Sequence, residues 1–172
     1  MNGKIYYRVL VVDDQAAVRS ALKAMLSVTD DMLWVGEAAD GATAIKVCQE
    51  VQPDLILMDV LMPLMNGVDA TKAILTQSPQ VAILALTSFL EPELVQGMMN
   101  AGAMGYLLKN VSADDLAETI RAACAGKAVF DPKAYEALFS PGVLGREPQR
   151  ARLIERINHH DSTQQNQEQR SD

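Results

Sequence analysis

"LILMDVLMPLMNG", residues 55–67, runs four apolar residues into Asp59 and sets Pro63 four positions after it. A carboxylate at the end of so apolar a run costs free energy unless something pairs with it. The run itself has the length and composition of a strand buried on both faces, as in a parallel sheet covered by helices.

The same kind of run recurs along the chain. "YRVLVV", "LWVGEA", "VAILAL" and "GYLL" read as strands, and the stretches between them carry apolar residues at helical spacing. Val18, Leu22, Met25 and Leu26 share one face of a helix beginning near Gln15. In "SADDLAETIRAACAG", Ser112 and Asp115 form a capping-box pattern and Gly126 is a natural stop. Pro92 sits where a first helical turn tolerates proline, and Asp40 before Gly41 marks the entry to the second helix. Trp34 is expected as a strand aromatic, and Met98, Met99 and Met104 as core. Five strand–helix pairs of this kind imply right-handed crossovers and a doubly wound parallel sheet, an α/β fold.

Composition agrees. Hydrophobic residues make up 49% of the 172, enough for a sizeable core, and no apolar run approaches the roughly 18 residues of a membrane span. The N-terminus lacks a signal-peptide layout, so a cytoplasmic protein without membrane association is expected. The net charge of −7 argues against a nucleic-acid footprint over the whole chain; residues 1–128 hold nine Lys and Arg against fifteen Asp and Glu, residues 129–172 six against seven. Cys48 and Cys124 have no metal-ligand spacing and read as buried, reduced thiols. The regular pattern ends near Lys127. Residues 1–128 are therefore read as one domain, 129–160 as a linker or partly helical extension with helices after Pro132 and from about Pro148 to Asn158, and the polar 161–172 as a disordered tail.

The strand ends carry the chemistry. Val12 is followed by Asp13 and Asp14, Met58 by Asp59, Leu86 by Thr87 and Leu108 by Lys109. In a parallel sheet these are all carboxyl ends, the edge where open α/β sheets bind ligands. Three carboxylates gathered there raise one another's pKa unless a cation neutralises them, and oxygen donors without histidine or cysteine favour Mg²⁺. A lysine and a hydroxyl beside such a site suit a phosphoryl group, with Asp59 as the nucleophile that takes it.

These residues resemble the receiver domains of two-component response regulators. The resemblance covers roughly residues 6–127: Asp13 and Asp14 as the acidic pair, Asp59 as phosphoacceptor, Pro63 and Gly67 four and eight positions beyond it, Thr87, Tyr106 and Lys109. It implies a flavodoxin-like (βα)5 fold with a five-stranded sheet in the order 2-1-3-4-5, followed here by a short C-terminal helical extension. It implies Mg²⁺ held by Asp14, Asp59 and the backbone carbonyl of Leu61, with Asp13 acting directly or through water. Thr87 and Lys109 would grip the phosphoryl group. Tyr106 would move inward with Thr87, remodelling the surface around helix 4, strand 5 and helix 5. A sensor histidine kinase is the implied donor and a homodimer the implied output, in a switch that promotes only its own phosphorylation and dephosphorylation.

"GAMGYLLKN" is most similar to receivers of the NarL/FixJ (LuxR) type, which usually continue into a helix-turn-helix domain. Residues 129–172 are too few for one. "REPQRARLIERI" resembles its first helix, but no recognition helix follows; Arg146, Arg150, Arg152 and Arg156 read as a solvated face, and adjacent His159 and His160 as no metal pair. DNA binding by this chain is not expected. The alternative is a helix-turn-helix transcription regulator present as a truncated or degenerate chain. A haloacid-dehalogenase-type phosphohydrolase would need an aspartate at position 61, where this chain has leucine. Asn110 follows Lys109 where many receivers have proline, so a trans peptide is expected there. Leu61 and Phe89, two beyond the phosphoacceptor and two beyond the threonine, are apolar and imply a long-lived phosphoryl state.

Overall fold

Each apolar run closes into a strand that donates and accepts along its whole length, and each amphipathic stretch into a helix laid across it. The structure, a computed structural model, describes residues 6–133 and Glu136. In order these are β1 (Tyr7–Val12), α1 (Ala16–Ser27), β2 (Met32–Ala38), α2 (Gly41–Val51), β3 (Leu55–Asp59), α3 (Gly67–Gln77), β4 (Ala82–Thr87), α4 (Pro92–Ala101), β5 (Gly105–Leu108), α5 (Ala113–Cys124) and β6 (Val129–Phe130). All neighbouring strands are parallel, in the order β2-β1-β3-β4-β5-β6.

The five expected strands take the expected order. One element is added: Val129–Phe130, read as the start of the linker, pair with β5 as a sixth strand, so the sheet has six strands where five were expected and β5 is not its edge. Two residues are too few to show a hydrophobic period, so this strand leaves no local pattern to read. The expected helix from about Pro148 to Asn158, the tail, and Arg146, Arg150, Arg152, Arg156, His159 and His160 lie outside the described residues.

Local chemistry sets the helix ends. Ser112 caps α5: it accepts a hydrogen bond from the Asp115 amide at 3.1 Å, and its hydroxyl donates to the Asp115 carboxylate at 2.6 Å. Asp40 and Asn66 cap α2 and α3 in the same way, each accepting a backbone N–H at 2.9 Å. Pro92 opens α4 and Gly102, at φ +107°, ends it.

Alternation along the strands divides the core into two layers. Leu10, Val12, Ile56, Met58, Ile83, Ala85 and Tyr106 face α2, α3 and α4, with Met98 and Met99 buried among them. Val9, Val11, Leu55, Leu57, Leu84, Leu86 and Leu107 face α1 and α5. Each fully buried Leu or Ile contributes about 1.5–3 kcal/mol. The sheet is thereby a rigid base whose carboxyl edge can hold side chains in fixed relation. Trp34 lies in β2 with the Lys23 ammonium 3.8 Å above its ring. Both cysteines are free, and burial pushes both thiols up, Cys124 to about 11.

Candidate phosphoacceptor site

β1 lies between β2 and β3, so the order in which strands are added reverses beside β1, and the carboxyl ends of β1 and β3 come side by side there. Val12 pairs with Met58, which brings Asp13 opposite Asp59 one step on. β4 and β5 follow outward, ending in Thr87 and, one residue beyond the strand, Lys109. The backbone N–H of Lys109 donates to the Thr87 carbonyl at 2.8 Å, locking these two ends together.

Asp13, Asp59 and Thr87 are buried, while Asp14 is exposed. The Lys109 ammonium bridges the two buried carboxylates, 2.6 Å from Asp13 Oδ2 and 3.2 Å from Asp59 Oδ1. Asp13 Oδ1 accepts the Gln15 amide at 2.9 Å. Thr87 Oγ1 accepts the Phe89 amide at 3.2 Å, and the Tyr106 hydroxyl donates to the Phe89 carbonyl at 3.3 Å. Tyr106 is wholly buried, its ring already turned inward. A cleft of about 400 Å³ bounded by Thr87, Ser88, Leu108, Lys109 and Asn110 opens beside the lysine.

The electrostatics follow from this packing. Burial, and then the neighbouring Asp13 charge, push the Asp59 carboxyl up to about 6 against the opposing pull of Lys109. Burial opposes the charge on Lys109, yet the two carboxylates together raise its pKa. Burial pushes the Tyr106 phenol up to about 12, against a lowering contact with the Thr87 hydroxyl. One ammonium therefore leaves the acidic cluster under-neutralised. Asp13, Asp14 and Asp59 each bring a carboxylate oxygen within 4.8 Å of the others. Such an all-oxygen donor set with uncancelled negative charge fits a hard divalent cation.

The residues read from the sequence as a site thus come together, with Leu61 on the loop after β3, its side chain 47% exposed. Arg19 and Leu64 were not read from the sequence, and the resemblance named Gly67 without the packing that requires it. Arg19, on α1, donates to the carbonyls of Asp13 at 2.8 Å and Asp14 at 3.3 Å while pairing with Glu37 at 3.2 Å, and so holds the acidic loop from behind. Gly67 packs on the Asp59 carbonyl so closely that any β-carbon would overlap it, so α3 can start hard against the site only with glycine there. Leu64 has a left-handed φ of +67° and is 96% exposed, for which nothing in its sequence context gave a sign.

The response regulator receiver domain family matches residues 9–121. This chain belongs to that family. The response regulator protein VraR of Staphylococcus aureus is 44% identical over 126 residues, which cover 73% of this chain and 60% of VraR. The matched segment therefore spans about 60% of that relative's length. Among solved structures, the receiver domain of the putative response regulator NarL from Mycobacterium tuberculosis is 29% identical and superposes with a TM-score of 0.68 over 72% of this chain and 99% of that one. A LuxR-family two-component response regulator from Aurantimonas is 28% identical, with a TM-score of 0.73 over 78% of this chain and 96% of that one. The receiver is thus related to the NarL/LuxR type, as the wording around Lys109 implied. Receiver domains of response regulators are phosphoacceptor switches: they take a phosphoryl group on an aspartate from sensor kinases and bind Mg²⁺ at an acidic pocket. Among the described residues no helix is long and apolar enough to cross a membrane.

Proposed function

We propose that this receiver is switched by phosphorylation of Asp59 and that its output is contact with another protein, a second copy of itself first. The observation that carries the reading is Lys109 bridging Asp13 and Asp59 beside Asp14 and Thr87. An Asp59 carboxylate oxygen attacks the phosphorus of a phosphohistidine on a sensor kinase. The P–N bond breaks, and its electron pair returns to the imidazole. Asp13, Asp14, Asp59 and the Leu61 backbone carbonyl would hold Mg²⁺, which when bound neutralises charge on the transferring oxygens. Lys109 moves its ammonium from the free carboxylate to the phosphoryl oxygens, and the Thr87 hydroxyl donates to another of them.

Phosphorylation adds about two negative charges, and it shifts the fold only as far as one arrangement binds them better. Thr87 and Tyr106 meet at Phe89, so a Thr87 drawn to the phosphoryl group favours the inward tyrosine and resets the surface between α4, β5 and α5. The setting is cytoplasmic, and residues beyond 130 act as a linker or docking segment.

Solution mass by light scattering, with and without Mg²⁺ plus beryllium fluoride as a phosphoryl mimic, tests this. A doubling for the unmutated chain that Asp59→Asn abolishes supports the switch with dimerisation as output. An unchanged mass while beryllium fluoride binds moves the output to a different protein partner, and absence of binding refutes the site.

A second reading is favoured by the relatives' greater length. The LuxR-type likeness and the unmatched part of VraR fit a transcription regulator of the helix-turn-helix type, of which this chain carries the receiver. Phosphorylation-dependent retention of DNA by the chain itself would support it.

A further inference from the structure

Strand β6 ties the chain leaving the domain to the strand that carries Tyr106. Gly105 faces Val129 and Tyr106 faces Phe130 in parallel register. The Val129 N–H donates to the Met104 carbonyl and the Asp131 N–H to the Tyr106 carbonyl, each at 3.0 Å. Gly105 permits this approach, because a β-carbon there would overlap the Val129 carbonyl. Register partners send their side chains to the same face of a sheet. Tyr106 and Phe130 accordingly pack against the same core layer, with Phe130 half-buried on the outermost strand.

Tyr106 is held by its hydroxyl on the Phe89 carbonyl. On the inner side its register partner on β4 is Ala85, and Met98 belongs to the same core layer. On the sheet-edge side its register partner is Phe130, which packs on the same layer.

We propose that Phe130 is a positioning residue of the phosphoryl switch: seated at the sheet edge beside Tyr106, it keeps the tyrosine against the Thr87–Phe89 loop, so that docking of β6 and phosphorylation of Asp59 favour each other. The proposal rests on the reading of Asp59, Thr87 and Lys109 given above. Coupling of this kind is reciprocal. Whatever holds Tyr106 inward strengthens phosphoryl binding, and a filled site strengthens the pairing of β6. The chain after Phe130 is then released or retained according to the state of Asp59.

The test uses the full chain with Phe130→Ala and Phe130→Leu, each alone and in a Tyr106→Ala background. Beryllium fluoride affinity in Mg²⁺ is read by fluorine NMR, and exchange of the Val129 and Asp131 amides by hydrogen exchange. Phe130→Ala is expected to weaken binding about fivefold, the scale of a modest coupling between sites, and Phe130→Leu to restore most of it. In the Tyr106→Ala background the same substitution is expected to change nothing further, a result that general destabilisation would not give. Beryllium fluoride is expected to slow exchange of the Asp131 amide in the unmutated chain. An equal loss in both backgrounds, or no loss together with unchanged exchange, overturns the proposal. Failure of the unmutated chain to bind beryllium fluoride brings down the reading of the site itself, and that result is visible without any Phe130 variant.

Discussion

Lys109 is paired first with Asp13: its Nζ lies 2.6 Å from Asp13 Oδ2, in a pair whose side chains are 13% and 1% exposed. Asp59, at 3.2 Å, is the second partner. The ammonium therefore acts as an internal counter-ion for two buried carboxylates that would otherwise face each other. Removing it leaves buried charge uncompensated, so Lys109→Ala is expected to cost about 3 kcal/mol of stability at neutral pH without divalent ions. Mg²⁺ then takes over the neutralisation. Thermal unfolding should show a larger Mg²⁺-dependent gain for Lys109→Ala than for the unmutated chain; equal gains would place the ion elsewhere.

Asp59 gives the metal-free domain an unusual pH dependence. Its carboxyl rises from the ordinary 3.8 to about 6 on folding, chiefly through burial and the Asp13 charge. Between those values the folded state holds a proton that the unfolded state has lost, so stability is full below about pH 4 and falls as pH rises through about 6. Asp59→Asn removes this loss. Without Mg²⁺ the variant should be the more stable at neutral pH, by up to about 3 kcal/mol, and the advantage should vanish near pH 4. Denaturant titrations at the two pH values check it, and an Asp59→Asn chain less stable than its parent at neutral pH would contradict it.

Much of this was legible because the period and the strand ends carry it. Val9 to Val12, Leu55 to Met58 and Ile83 to Leu86 are buried on both faces, and nothing but a doubly covered sheet accounts for three such runs. Asp59, Thr87 and Lys109 could be placed on one edge without coordinates, since every strand points the same way. Arg19 could not. Its role lies in reaching from α1 to two backbone carbonyls, and backbone acceptors leave no trace in side-chain identity. β6 was hidden for a different reason: its two residues pair because Gly105 lets them approach, a long-range condition that no local pattern records.

Gln52 closes α2 in the left-handed region, at φ 46° and ψ 67°. A side chain with a β-carbon is strained there by about 1–2 kcal/mol. Gln52→Gly relieves that strain and returns part of the gain by loosening the unfolded chain. A net stabilisation of about 0.5–1 kcal/mol is expected, readable as a shift in denaturation midpoint with no change in phosphorylation. The Arg8 contact to the Gln52 carbonyl is to backbone and survives the change.

The lifetime of the phosphoryl group is set by what can deliver water to it. Leu61 and Phe89 stand two positions beyond Asp59 and Thr87, and their apolar side chains are 47% and 59% exposed. Neither can hydrogen-bond a water in line with the phosphorus, and Phe89 is fixed in place by its amide on Thr87 and its carbonyl under Tyr106. Hydrolysis then depends on unassisted water, so phosphorylated Asp59 should outlast minutes in Mg²⁺ when no phosphatase is present. Phe89→Gln supplies a carboxamide that can orient the attacking water, and should speed loss of the group on the order of tenfold. Intact-mass measurements after removal of the phosphodonor follow both rates. Complete loss within seconds from the unmutated chain would mean that another group already positions water at the site.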